Sequence, residues 1–454
     1  MTRLRPATIA LIATALTAVC VPSVAAPPNP LIVKPAPAPL DGVIVPSKLP
    51  IAVPVKTATP RLIPNQFPDA SQIPGGQQVE PPAAGGGPIT FVLDNGTSGA
   101  GSLAPSATYP AIDTRFDAPY DSSVAPPDCN MAVGRNNVVT ILNMQIGMHD
   151  KAGNLVAGPF SLASFFNVPA GFSVFDPLAL YDPFADRFIL ATDADNGSAK
   201  DSRLFIAFSQ TGDPTGPWNK YYIHADAGQD GSPGALPDAW ADYPSGGLDR
   251  LGVYFTANMF LRAGGFTNVT VFLVNKEDGY AGRTLTTTHL IDVRTASNGS
   301  PFRLRPAYAP QVTTNDEYYF AHTDQAFGSV INLFRLDGNR FNSPQLTAST
   351  VALSGTYFAP GKARQPGSTA HPIDTLGANL WNVFYRTGTL WTAQAISGAH
   401  ADAAWVHKLD VNSNPAVRLQ TWDLEASGDD TYFPYVMPDV NTDDFALLSA
   451  FSGP

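Results

Sequence analysis

The stretch Pro127-Asp128-Cys129-Asn130-Met131-Ala132-Val133-Gly134, running into Val138-Val139-Thr140-Ile141, decides how this chain is read. A proline stands near the start of a strand, a turn follows, and a branched strand returns. The same order recurs at Asp176-Pro177, with Tyr181-Asp182 and Phe188-Ile189-Leu190-Ala191. It recurs again at Asp242-Tyr243-Pro244, with Leu248-Asp249 and Val253-Tyr254-Phe255-Thr256. Ala309-Pro310 leads to Tyr318-Tyr319-Phe320-Ala321 in the same way. Fainter copies are His371-Pro372 with Asn382 to Trp391, and Phe433-Pro434 with Asp439 to Leu448. Clear copies lie roughly 50–65 residues apart, a period that in an all-strand sequence marks propeller blades. The expected fold class is therefore all-β, a β-propeller of six blades with seven as the alternative.

Residues 89–454 make up the expected propeller domain. Asn, Gly, Asp and Pro punctuate short runs rich in Val, Phe, Tyr and Thr, and no helix is expected. Hairpins are legible at Val269–Asn275 with Lys276–Gly279, at Ser329–Arg335 with Leu336–Asn339, and at Asn382–Arg386 with Thr389–Thr392. A single core seldom serves so long a segment, whereas a propeller packs each blade only on its neighbours. The last copy has two strands, so the final blade is incomplete or is closed by an N-terminal strand. Ile89–Leu93 and Tyr109–Phe116 are the candidates for that closure.

Ahead of the domain, residues 1–26 read as a secretory signal peptide. Arg3 and Arg5 precede an apolar run, Ile9–Val21, too short to span a bilayer, and Ser23-Val24-Ala25 offers small residues for cleavage. Acylation at Cys20 is the alternative. Export is expected, and no transmembrane span. Residues 27–88 hold 16 prolines and end in Gly85-Gly86-Gly87, which reads as a disordered proline-rich linker arm. Once Cys20 leaves with the signal, Cys129 is the one remaining thiol, expected as a buried small hydrophobe.

The net charge is −11 with nine lysines, so no basic patch exists to hold phosphates and nucleic acid is excluded as a partner. The acidity is almost all aspartate, 34 Asp against four Glu. Aspartate serves turns and caps, and it also offers hard oxygen ligands. Calcium is the expected cofactor if there is one. Its candidate ligands are Asp193 and Asp195 in one loop, and Asp439, Asn441 and Asp443 in another, each an incomplete oxygen-rich pattern. The seven histidines show no His-x-His or His-Glu-x-x-His spacing, so zinc is not expected.

Ser209-Gln-Thr211-Gly-Asp213-Pro-Thr-Gly216-Pro-Trp218 resembles the Asp-box turn of sialidase-like propellers. Its Asp-to-Gly gap is one residue longer, and Pro217 replaces a threonine. In that family the turn is structural, so the resemblance implies the fold and no activity. More widely, Pro127-Asp128, Tyr181-Asp182-Pro183, Asp186-Arg187-Phe188 and Asp242-Tyr243-Pro244 resemble uncharacterised exported bacterial β-propellers, which implies secretion.

Asp-Pro at the start of an inner strand also resembles five-bladed glycosidases, where such an aspartate acts as a base. Asp128, Asp176 and Asp242 are the catalytic candidates on this reading, with Glu425 as the candidate acid partner. Glycoside hydrolysis needs two carboxyls at a set separation, one protonated and one ionised. The competing reading gives these aspartates strand-capping duties alone. The expected function is a binding or interaction module for polysaccharide or a cell-surface protein. A carbohydrate-active enzyme is the first alternative, and a calcium-stabilised structural protein the second. Convergence of Asp128, Asp176, Asp242 and His371 on one end of a central channel separates these readings, because crowded carboxylates raise one another's pKa or demand a cation.

Overall fold

A computed structural model describes residues 29–35, 37–52, 61–62, 91–93, 124–226, 238–311, 317–365, 368–399, 401–425, 428–439 and 442–453. The chain is nearly all β. Five antiparallel four-stranded meanders follow one another, and a two-stranded hairpin ends the series. Their first strands are Asn130–Val133, Ser173–Asp182, Ala239–Leu248, Arg305–Tyr308, Leu380–Arg386 and Asp430–Pro438.

These first strands are the inner ones. Those of the third, fourth and fifth units run parallel and bridge one another, Leu248 opposite Tyr308 and Ala307 opposite Val383. Gly247 permits the closest approach, since a Cβ there would sit 2.3 Å from the Ala307 carbonyl oxygen. All six inner strands line one cavity of about 230 Å³, through Asn130, Leu178, Ser245, Arg305, Trp381 and Tyr435. No strand pairing joins the last hairpin to the first unit among the described residues.

The core lies between successive sheets. Ile141, Phe165, Phe188 and Phe205 pack the first unit on the second, and Ile206, Phe208, Phe255 and Phe272 pack the second on the third. Each such side chain is fully buried, worth roughly 1.5–3 kcal/mol relative to exposure. Trp391 stacks on Trp422 at 5.4 Å within the fifth unit, so these tryptophans fill the core.

The repeated proline segment is a bulge. The register skips between Phe175 and Leu178, between Asp242 and Ser245, and between Tyr432 and Tyr435. In each skip the residue before proline is left-handed: Asp176 at φ +50°, Tyr243 at +57° and Phe433 at +53°. Asp128, after its proline, has φ +41°. A non-glycine residue there costs about 1–2 kcal/mol, which the surrounding sheet must hold in place.

Several expectations need correction. Leu162–Phe166 and Lys276–Tyr280 are short helices, the second where a hairpin turn was expected. Ser161 Oγ accepts from the Ser164 amide and Asn275 Oδ1 from the Glu277 amide, so each has a ready N-cap. Pro310 lies beyond its inner strand, which instead carries Pro306. His371-Pro372 lies in the hairpin strand Ser368–Ile373, not in an inner strand, and the His371 side chain is outside the described residues.

Over residues 29–52 the proline-rich segment lies on the domain instead of standing off it. Leu31–Val33 adds a strand to the third unit, pairing with His289–Ile291, and Gly42–Ile44 adds one to the second, pairing with Trp218–Lys220. Phe91–Leu93 likewise adds an outer strand to the fifth unit, with Leu93 opposite Trp422, and completes no sixth. Each addition covers an exposed sheet edge. Tyr109–Phe116 and the expected signal peptide lie outside the described residues. Cys129 is exposed rather than buried, just ahead of the first inner strand, whose own start at Asn130 and Met131 is exposed too.

Candidate functional site

The bulges bring Asp128, Asp176 and Asp242 together. Asp176 forms side-chain hydrogen bonds with both Asp128 and Asp242. Asp193, on the second strand of its unit, adds a fourth carboxyl close enough to repel Asp176. Asp176, Asp193 and Asp242 are 9%, 1% and 3% exposed, while Asp128 is half-buried. The most accessible edge of the cluster is therefore Asp128, next to exposed Cys129 and Asn130.

Asparagine and backbone amides fix this geometry. Asn143 Nδ2 donates to Asp128 Oδ2 at 2.5 Å and to the Pro126 carbonyl at 2.9 Å. Its Oδ1 accepts from the Asp176 amide at 2.9 Å. Asp176 Oδ2 in turn accepts from the Tyr243 amide at 3.1 Å. The pattern recurs in later units, where Asn258 Oδ1 accepts from the Arg303 amide and Asn382 Oδ1 from the Val436 amide. The first, second, third and fifth units thus each hold a backbone amide of the next unit's inner segment through one short polar side chain. Backbone bonding of Asp176 is real, yet it occupies one oxygen and leaves the carboxyl contacts intact.

Charge is out of balance here. Burial, then repulsion from Asp242, Asp128 and Asp193, pushes Asp176 well above the usual carboxylate range. Burial also raises Asp193 far, with Asp242 and Asp195 adding to it. Asp242 is pushed up to about 7 by burial, against the pull of the Tyr243 amide, Asp176 and Arg303. Asp128 is raised by burial and drawn back by its bonds to Asp176 and Asn143. The protonated form of Asp176 is therefore favoured over its ordinary balance, and the Asp242 carboxyl titrates near neutral pH.

Aromatic and cationic groups border the cluster. Arg303 lies over the Tyr243 ring at 4.7 Å. Arg305 donates to Tyr243 Oη at 2.9 Å and to Ser245 Oγ at 2.6 Å, and lies over the Trp381 ring at 5.7 Å. At the same end, a cleft of about 500 Å³ is lined by Ser173, Phe175, Asp195, Trp240 and Arg262. Arg303 was not singled out from the sequence. An Arg-x-Arg-Pro pattern at the fourth inner strand was the available signal.

The other candidates fall elsewhere. Glu425 ends the outer strand Val417–Glu425 of the fifth unit and accepts from the Ala401 amide at 2.6 Å, so it is no partner for the axial aspartates. Asp195 is held by Arg262 through two bonds of 2.7 and 2.6 Å, which uses the oxygens a cation would need. Asp443 pairs with Lys408 at 2.7 Å and Arg386 at 3.3 Å, and Asp439 Oδ1 accepts from Thr442. Asn441 lies outside the described residues. Asp195, Asp439 and Asp443 are thus bound to internal partners, whereas Asp193 Oδ2 has none among the described residues. The Asp-box-like turn closes a hairpin, with Thr215 donating to Asp213 and Trp218 Nε1 donating to the Pro214 carbonyl at 2.8 Å.

No family model matches this chain, and no curated protein does. Among solved structures, it is similar to an endo-arabinase from Bacteroides thetaiotaomicron VPI-5482 at 14% identity. That match covers 62% of this chain and 93% of the other, with a TM-score of 0.29. A likeness at that score carries no argument about either fold or activity.

Proposed function

We propose that the chain is an exported six-bladed β-propeller that cleaves polysaccharide by acid–base catalysis at the Asp128–Asp176–Asp242 cluster. The supporting observation is the row of three adjoining buried carboxyls, in which Asp176 is pushed well above the usual carboxylate range and Asp242 up to about 7. Perturbed carboxyls gathered beside a cleft are the usual sign of an acid–base site. Asp128, the accessible member, acts as base toward water, and Asp242 supplies the proton to the leaving oxygen. Asp176 lies between the two and bonds to both. Tyr435, exposed in the axial cavity, offers a face for a sugar ring.

Burial of Asp242 to 3% exposure favours a second reading, in which the same end binds glycan without turning it over. A panel of neutral and acidic polysaccharides separates the two by release of reducing ends. Asp128→Asn and Asp242→Asn should each lower turnover by roughly 10²–10⁴-fold, with glycan affinity retained. Binding without products in the unaltered protein would leave only the second reading. Neither binding nor products on any polysaccharide would sink both.

A further inference from the structure

A different part of the second unit gathers a histidine and two carboxylates. Its third strand, Asp201–Ser209, pairs with its fourth, Trp218–His224. Arg203 stands opposite His224, and the Ala225 amide donates to the Ser202 carbonyl at 2.8 Å, which carries the ladder one residue further. Asp201 and Asp226 consequently face each other, on the same side of the sheet as Arg203 and His224, because side chains alternate. One ligand atom each from Asp201, His224 and Asp226 falls within 4.8 Å of the others.

The donors are partly preset. Arg203 donates to Asp201 Oδ2 through Nε at 2.9 Å and through a terminal nitrogen at 2.5 Å, which leaves Oδ1 toward His224 Nδ1 at 3.1 Å. The Ser202 amide donates to Asp226 Oδ2 at 3.2 Å. Asp226 is 5% exposed, and its Oδ1 has no hydrogen-bond partner among the described residues. A buried carboxylate oxygen without a partner is costly and calls for an explanation. A cation held jointly with Asp201 and His224 supplies one.

We propose that Asp201, His224 and Asp226 form a binding site for a divalent transition-metal ion of the zinc class. One imidazole nitrogen and two carboxylate oxygens suit zinc or cobalt, whereas calcium and magnesium take oxygen ligands. Arg203 orients the Asp201 carboxylate from behind, as outer partners of metal ligands do. The ion ties the last strand of the second unit to the connection that leads, through Trp240, to Asp242. The site is separate from the axial cluster and stands or falls independently of the proposed hydrolysis. The sequence signal was His224-x-Asp226, a spacing outside the zinc patterns sought, and its third member comes from the adjacent strand.

The test uses full-length protein without a polyhistidine tag, stripped with chelator and titrated with Zn²⁺ and Co²⁺. Calorimetry should show one Zn²⁺ per chain, and Co²⁺ should give visible d–d absorption. Zn²⁺ should raise Tm. His224→Gln and Asp226→Asn should each weaken Zn²⁺ binding by about tenfold or more, with far-UV circular dichroism and metal-free Tm near those of the unaltered protein. Arg203→Lys should weaken binding less than either. No binding, or binding unchanged in both ligand variants, would overturn the assignment. Equal preference for Ca²⁺ would overturn the class of ion.

Discussion

The two ends of the same inner strands treat buried charge in opposite ways. Near the start of Ser173–Asp182 and Ala239–Leu248 stand Asp176 and Asp242, crowded with Asp128 and Asp193. At the far end stand Asp182 and, one residue past the strand, Asp249. Those two are matched. Lys276 Nζ sits 2.6 Å from Asp182 Oδ2, with both side chains fully buried, and also donates to the Asp249 carbonyl at 2.6 Å. Tyr280 Oη donates to Asp182 at 2.6 Å, and Arg340 pairs with Asp249. Six residues of strand, about 20 Å, separate an end built for stability from one that keeps its carboxylates short of cations. Structural aspartates acquire partners. The axial ones have only one another, Asn143, backbone amides and the field of Arg303.

The largest expected effect lies at the matched end. Lys276→Met leaves Asp182 buried beside Tyr280 with no cation, and should cost about 3–5 kcal/mol by urea denaturation. A loss below about 1 kcal/mol would show that the pair does not hold the units together. At the crowded end the sign should reverse. Asp176→Asn removes a buried carboxyl whose own ionisation is disfavoured by burial and by Asp242, Asp128 and Asp193, and should raise stability at pH 8 on the order of 1–2 kcal/mol, and less at pH 5. Destabilisation at pH 8 would mean that the carboxyl row is structural glue.

The pH profile sharpens the same contrast. Asp242 has a folded pKa of about 7 against 3.8 unfolded, so between those values the native state binds more protons than the unfolded one. Stability then falls as pH rises through about 7, since the slope follows the proton difference. Tm measured from pH 5 to 8.5 should decline, and Asp242→Asn should flatten the decline. A profile identical in the variant would reject the assignment of that titration. A comparable effect is expected at Asn143. Asn143→Ala removes bonds to Asp128, Pro126 and the Asp176 amide. It should cost roughly 1–3 kcal/mol in Tm-derived stability and shift the pH profile, whereas a purely local cap would lower Tm without moving the profile.

Much of this was legible in the residues. The Pro-strand copies marked true inner strands at Asp128, Asp176, Tyr243 and Phe433, because a proline beside a left-handed residue is a local backbone requirement. The copies at Ala309 and His371 misled, since Pro310 and Pro372 satisfy the same local pattern in a connection and in a separate hairpin. Cys129 was misplaced because burial at an inner strand depends on the neighbouring unit. Glu425 was misplaced for a similar reason, since position along a strand says nothing of which strand in a unit it is.

The sequence by itself determined the all-β class, the period of the repeat and the three aspartates worth watching. Periodicity, turn chemistry and residue type are local, so they survive without coordinates. Only the tertiary structure decided that Asp128, Asp176 and Asp242 touch, that Asp195 and Asp443 are taken by Arg262 and Lys408, and that the proline-rich segment caps sheet edges. Those outcomes depend on which units lie side by side. Buried charge is settled by whichever partner the packing delivers within a few ångströms, and that partner stands tens of residues away in the chain.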